Sequence, residues 1–443
     1  MEKNTFEKLL TIKIEAWVIL LLVLILLPFL VFSTWAVWHK ATGGNDSGKV
    51  GDTLQDLAKH TDPYFKLLFS EQSIQEIVQP QLMSFEEFSG FKVYDNAQVD
   101  SGSLLVSAYS DENSVSSVYL YDISEQKILH EWVPPVNELL NQTSFRNDQS
   151  KKFNFRSQHP LLLEDGSIVI TSGEGPLLKI DSCGKLQWSA DRHFHHTIEP
   201  SESGGFYVPI VSSEIKLPFP LRNDAIAKVS ATGEVLQEWS IYELLIRHGY
   251  ADLLHGFGMM ERDRIHLNDA EVIFQSDNFV QKGDLMLSVR NLSMVLVYRP
   301  STDEIVWLEI GPWLNQHDVD YLGDGIFTIY GNDMIRNKDT SYSFTGFNTI
   351  WKYDQTTGKT SEYLSLKEHQ INTITEGRHR VLDNGDIIIE ETNAGLIHRV
   401  NKDGKLWSFV HSLKQGKIGA LHWSRYLTAE ESEFTWLEGL HCN

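Results

Sequence analysis

From Phe91 onward the chain is built of short runs in which apolar and polar residues alternate, broken by Gly and Asp. Runs of about four to eight residues with this period are half-buried strands. The clearest block, QHPLLLEDGSIVITSGEGPLLKIDSCGKLQW from Gln158 to Trp188, reads strand, Asp-Gly turn, strand, polar gap, strand, second Gly turn, Trp. GRHRVLDNGDIIIEETNAGLIHRVNKDGKLW, Gly377 to Trp407, matches it almost element by element. The same template places further blocks at about 93–135, 195–248, 266–313 and 315–366. Each block alone leaves an apolar face exposed, and radial stacking buries those faces. The expectation is an all-β, six-bladed β-propeller over residues 91–413, with a C-terminal segment at 414–443. An open solenoid or a pair of β-sandwiches is the competing architecture. Trp188, Trp239, Trp307, Trp351 and Trp407 read as blade-packing residues, and the acidic tail as a solvated terminus.

The N-terminal pattern is different. Ala16 to Trp38 carries no charge and as a helix would reach roughly 35 Å, enough for a bilayer core of about 30 Å. Trp17, Trp35 and Trp38 sit near its ends, where interfacial aromatics belong. A cleaved signal peptide has a shorter apolar core, so this reads as a retained transmembrane helix. Lys3, Lys8 and Lys13 before it favour a cytoplasmic N-terminus, residues 1–15, and an extracytoplasmic body. Residues 39–90 read as a linker followed by a helical neck, with Pro63 between two short helices.

Composition narrows the partners. With 60 acidic against 38 basic residues and a net charge of -22, a nucleic-acid backbone or an anionic lipid surface is a poor match. A basic cluster in such a chain needs a local reason. Cys183 and Cys442 permit one internal disulfide at most, and their spacing does not say whether they meet.

First strands of propeller blades line the central channel, so their starts are compared by counting back from the turn glycine. His317 lies eight before Gly325, His196 eight before Gly204, His159 seven before Gly166 and Arg378 seven before Gly385. The fourth block opens IHLND, with His266 and Asn268 two apart and able to face one side of a strand. Arg290, on the second strand of that block, can join them at the blade end. Histidines and arginine converging in a channel suit an oxyanion, since both donate to its oxygens. A single strand-start histidine is more often a satisfied structural residue, and four together also suit a metal. The adjacent Arg290 weighs against the metal, and no cofactor is expected.

IHLND, GDLMLSVRNLSMVLVYRPSTDEIVWLEIGPW and NQHDVDYLGDG together resemble the bacterial arylsulfate sulfotransferase family, whose members do not use the nucleotide sulfate donor. The resemblance implies a six-bladed propeller that moves a sulfuryl group from a phenolic sulfate ester to another hydroxyl through a sulfated histidine. On matching positions His317 is the nucleophile, and His266, Asn268 and Arg290 hold the sulfuryl oxygens. His196 or its neighbour His195 is the further channel histidine; His159 and Arg378 are candidate substrate contacts. Only Leu314 and Asn315 separate GPW from QHD, where well-known members carry a longer insertion.

The expected partners are therefore an aryl sulfate donor, a hydroxyl acceptor and the membrane through residues 16–38. A membrane-protein partner or a homo-oligomer suits the anchor, and the alternative function is a non-catalytic propeller serving as a scaffold subunit. The expected location is the periplasmic face of the inner membrane.

Overall fold

The structure, a computed structural model, describes residues 23, 24, 26, 82–85, 87–94, 100–142, 155–217, 221–256, 261–336, 342–344 and 347–442. The chain divides into two units, residues 1–79 and 80–443. Of the first, Val23, Leu24 and Leu26 are described, and they are helical and exposed. The rest of the expected span 16–38, and the helical spacing at 53–78, lie outside the described residues. Among those described, no helix is long and apolar enough to cross a membrane.

The second unit is an all-β, propeller-like array of antiparallel sheets. Four sheets have the expected meander. They are Leu267–Val272 through Glu304–Ile310; Val319–Gly323 through Lys359–Ser365; Arg378–Val381 through Gly404–Val410; and a set built on Ser103–Ser110, Val115–Asp122 and Lys127–Trp132. The blocks from 158 to 240 form one eight-stranded sheet, whose two halves are linked through the single pair Phe194 and Ile210.

Strands within these sheets are covered on both faces. Ser103–Ser110 is buried at every position. Between the third and fourth of the 158–365 blocks, Val295, Val297, Trp313, Phe327 and Ile329 form one apolar cluster, each large side chain contributing about 1.5–3 kcal/mol of burial. Trp307 stacks on Phe327 with centroids 4.3 Å apart, the blade-packing role expected of it. Backbone geometry is decisive at the turn glycine Gly166, whose φ is +77° and whose missing Cβ makes room for the Trp436 ring.

Both ends of the array differ from the sequence expectation. Leu82–Ser84, inside the stretch read as a neck, and Gly90–Val93, at its junction with the expected propeller, are strands: the first pairs with Lys417–Gly419, the second with Gly404–Val410. The C-terminal segment is not a solvated tail. Arg425–Leu427 is the inner strand of the sheet containing Ser103–Ser110, and Trp436 packs on Trp132 with ring centroids 5.5 Å apart. Cys183 and Cys442 form a disulfide. A ring needs its first and last sheets joined to remove free edges. Here the two chain ends supply that joint, which repeat counting within 93–135 did not anticipate.

Candidate functional site

Left-handed backbone marks the start of five inner strands: His159, His196, His266, Glu376 and Trp423 have φ between 54° and 64°. For residues with a Cβ this is strained, and it turns the chain sharply into each strand. His317 enters the same level two residues after Asn315, whose φ is 52°. The structure thus brings together His159, His196, His266 and His317. The position counted as Arg378 belongs instead to Glu376.

Trp423 stands among them. Its ring centroid lies 4.6 Å from that of His159, 6.0 Å from His196 and 6.4 Å from His317. His196 and His266 are 5.5 Å apart.

His317 is 3 % exposed, and its orientation is set from behind. Asn332 spends its amide N–H groups on the carbonyls of Thr373 and Glu376, so its Oδ1 must accept from His317 Nδ1, 2.6 Å away. The Asn315 carbonyl lies 3.2 Å from the same nitrogen. That leaves Nε2 with its lone pair, which accepts the Glu376 backbone N–H at 3.1 Å. Burial, followed by the charge of Arg290, pushes this imidazole well below its ordinary value, against the pull of the Asn332 bond.

Arg290 opens a 3-10 turn, Arg290–Leu292, immediately after its strand. Its backbone N–H donates to the His266 carbonyl. The side chain is 4 % exposed, with one bond to Asn291 and no partner for Nε. His266 Nδ1 is bonded to Asp263 Oδ2 at 2.5 Å, which directs its Nε2 away from that carboxylate. Burial raises the Asp263 carboxyl, but the His266 bond and charge outweigh it and hold it below the ordinary value. Asn268 is fully buried; its Nδ2 donates to the Gln316 carbonyl, and its Oδ1 accepts nothing from the protein. A short chain of contacts thus ties the IHLND strand to the residue before His317.

Of the two adjacent histidines, His196 faces the ring, while His195 Nε2 points to Asp224 Oδ1 at 3.4 Å. His159 is fully buried against Trp423, with Nδ1 3.2 Å from Arg425. Arg378 lies apart from the ring of histidines, in an ionic layer, 3.7 Å from Asp318 and 4.0 Å from Glu271. His379 donates to Asp318 there at 2.6 Å. In this layer Asp318, Asp320 and His379, and also Asp269, Glu271 and Asp318, bring possible ligand atoms within 4.8 Å. Arg378 and His379 set positive charge among those carboxylates without matching all four, and burial, with repulsion from neighbouring carboxylates, pushes Asp269, Glu271 and Asp320 up. A cavity of about 1280 Å³ opens beyond it, lined by Glu199, Glu271, Asp320, Arg378 and Arg425 rather than by His196, His266 or His317.

The model of the arylsulfotransferase (ASST) family matches residues 159–412, more than half of the chain. The chain belongs to the arylsulfotransferase family. The match begins at His159 and includes His196, His266, Arg290 and His317, but stops before Trp423. Membership supports a sulfotransferase-type enzyme with small-molecule donor and acceptor. No curated protein matches. Among solved structures, a protein of unknown function from Bacteroides caccae is 12% identical with a TM-score of 0.47, covering 74% of this chain and 99% of its own. A streptogramin B lyase structure is 11% identical, with a TM-score of 0.40 and coverage of 76% and 97%. Kuenenia stuttgartiensis hydrazine synthase is 12% identical, with a TM-score of 0.38 and coverage of 65% and 71%.

Sequence reading missed Asn332, Asp263, Asp224, Glu376 and Trp423. Only Trp423 had a usable signal: LHWSRYL alternates as an inner strand should, and places Trp423 where QHPLL places His159.

Proposed function

We propose that this arylsulfotransferase carries a sulfuryl group on His317 between an aryl sulfate and a hydroxyl acceptor. The observation that carries the reading is the Asn332 bond to His317 Nδ1, which leaves Nε2 unprotonated beside a buried, partly unbonded Arg290. Nε2 attacks sulfur as the S–O bond to the aryl group breaks and the phenolate leaves. In the second step the acceptor oxygen attacks the same sulfur, the N–S bond breaks, and the acceptor proton passes to a channel histidine. A covalent relay divides one displacement into two. In this reading Arg290, the second N–H of Asn268 and His266 as an imidazolium, whose Nδ1–H is already given to Asp263, hold the sulfuryl oxygens, where preset donors stabilise charge that develops in transfer. The Glu376 N–H must release Nε2 before attack.

The finer architecture in this reading has six blades, with the eight-stranded sheet counted as two joined at Phe194 and Ile210. Residues 16–38 anchor the chain in the inner membrane with the array on the periplasmic side. His159 is a secondary contact for the organic parts of donor or acceptor.

The test uses the full chain in detergent with a chromogenic aryl sulfate, read by intact mass. Wild type should gain one sulfuryl group and His317→Ala none. If neither is labelled across several donors, the reading fails and a non-catalytic subunit takes its place.

A further inference from the structure

We infer that His195, held by Asp224, sets His196 as the base that accepts the acceptor's proton in sulfuryl transfer. This rests on the His317 reading above and adds the acceptor half of the reaction.

The imidazoles of His195 and His196 meet Nδ1 to Nδ1 at 2.7 Å, a hydrogen bond that requires one proton between them. Two arrangements satisfy it, and Asp224 selects one. His195 is 1 % exposed and Asp224 is fully buried. If His195 held its proton on Nδ1, its Nε2 lone pair would face the Asp224 carboxylate 3.4 Å away, a buried repulsion between two electron pairs. With the proton on Nε2, the polarised N–H faces the carboxylate across 3.4 Å, an electrostatic contact rather than a hydrogen bond, and Nδ1 becomes an acceptor. His196 then donates through Nδ1, and its Nε2 is left as a free base.

The surroundings of Asp224 keep it an acceptor. Arg222 Nε donates to its Oδ1 at 2.7 Å, and the Leu267 backbone N–H to its Oδ2 at 3.1 Å. Arg222 is itself paired with Glu174. Burial raises the Asp224 carboxyl, but His195 and Arg222 outweigh it and keep it well below the ordinary value. Leu267 follows His266, so the same carboxylate anchors the strand that carries the sulfuryl-holding residues. His196 faces His266 and Trp423 on its open side.

The proton bookkeeping closes. As the acceptor oxygen bonds to sulfur and the N–S bond to His317 breaks, His196 Nε2 takes the hydroxyl proton. Its Nδ1 proton shifts toward His195 Nδ1, and the resulting positive charge lies between the two rings and against Asp224. His195 and Asp224 act through His196 and are positioning residues, whereas His196 touches the acceptor.

The experiment separates the two half-reactions in the full-length protein, using 4-nitrophenyl sulfate as donor and phenols of graded acidity as acceptors. His195→Phe should form sulfo-His317 at the wild-type rate, because 4-nitrophenolate leaves without a proton. Transfer to a weakly acidic phenol should slow at least about tenfold, with the loss shrinking as the phenol becomes more acidic. His195→Gln, whose amide oxygen can accept the same His196 N–H, should recover part of the rate. Equal loss in both half-reactions, an unchanged second step, or a loss independent of acceptor acidity overturns the inference. Wild type that never becomes sulfated overturns the His317 reading itself, a distinct result.

Discussion

Asn332 Oδ1 accepts the Nδ1 proton of His317 at 2.6 Å, while both amide hydrogens of Asn332 are spent on backbone carbonyls. The amide cannot turn over without turning its oxygen toward those carbonyls, of which that of Thr373 keeps Asn348 Nδ2 as a donor at 3.1 Å, so the tautomer of His317 is fixed by main chain two contacts away. The same logic of a ring nitrogen assigned from behind recurs at His266 with Asp263 and at His195 with Asp224.

Replacing Asn332 tests that relationship. Asn332→Ala is expected to lower the sulfation rate of His317 roughly 10- to 100-fold by releasing the ring. It should also cost about 1–3 kcal/mol of stability, since the Thr373 and Glu376 carbonyls lose a donor. Single-turnover kinetics and urea unfolding measure the two effects separately.

In the proposed reaction Arg290 differs from Asn332 in acting on the transferred group. Arg290→Ala should leave His317 in place and reduce sulfation about 10²- to 10³-fold, the usual cost of removing one oxyanion donor. Arg290→Lys should recover little, since a single ammonium cannot reproduce the guanidinium fork. A donor series compared by burst rate would decide; full activity in the lysine variant would contradict this geometry.

Glu376 should contribute to the pH dependence of stability, beside other buried carboxyls that folding raises, among them Asp320 and Asp333. Burial, followed by the charge of Glu390 against that of Arg156, raises its carboxyl from 4.5 to about 7. A carboxyl raised by folding contributes stability that is fully present below about 4.5 and lost as pH rises through about 7. Glu376→Gln, which cannot ionise, should be more stable than wild type on the alkaline side by on the order of 1–3 kcal/mol. The advantage should vanish at acidic pH, and denaturant midpoints across that window give the comparison.

The closure between the chain ends should be sensitive to reduction. Cys183 and Cys442 are separated by 259 residues, and a long loop gives a disulfide worth about 2–4 kcal/mol. Cys442→Ser should lower the unfolding midpoint accordingly. Deleting 414–443 should do more, because it also removes the strand Arg425–Leu427, Trp423 and Trp436. An unchanged midpoint after deletion would show that these segments do not hold the array together.

Period and turn chemistry carried far. The blocks beginning near 158, 266, 315 and 377 fold as meanders because each strand is a local run with its own Gly turn, and strand alternation is a local property. Counting from turn glycines likewise placed His159, His196 and His317 at one level, and the block opening IHLND added His266, because similar strand lengths carry corresponding positions to one height. The count misassigned the last blade, where a longer entry through Glu376 and Gly377 moves Arg378 into the ionic layer.

By itself, then, the sequence determined an all-β repeat array, the gathering of its channel histidines and, through its motifs, the arylsulfotransferase family. Tertiary structure alone decided the partners that give those histidines their protonation. Asp224 reaches His195, Asn332 reaches His317 and Trp423 reaches three rings only because distant strands converge on the channel. It also decided that the C-terminal segment closes the array. Local alternation specifies a strand but not its neighbour, and neighbours across the chain ends are chosen by the need to bury a sheet edge.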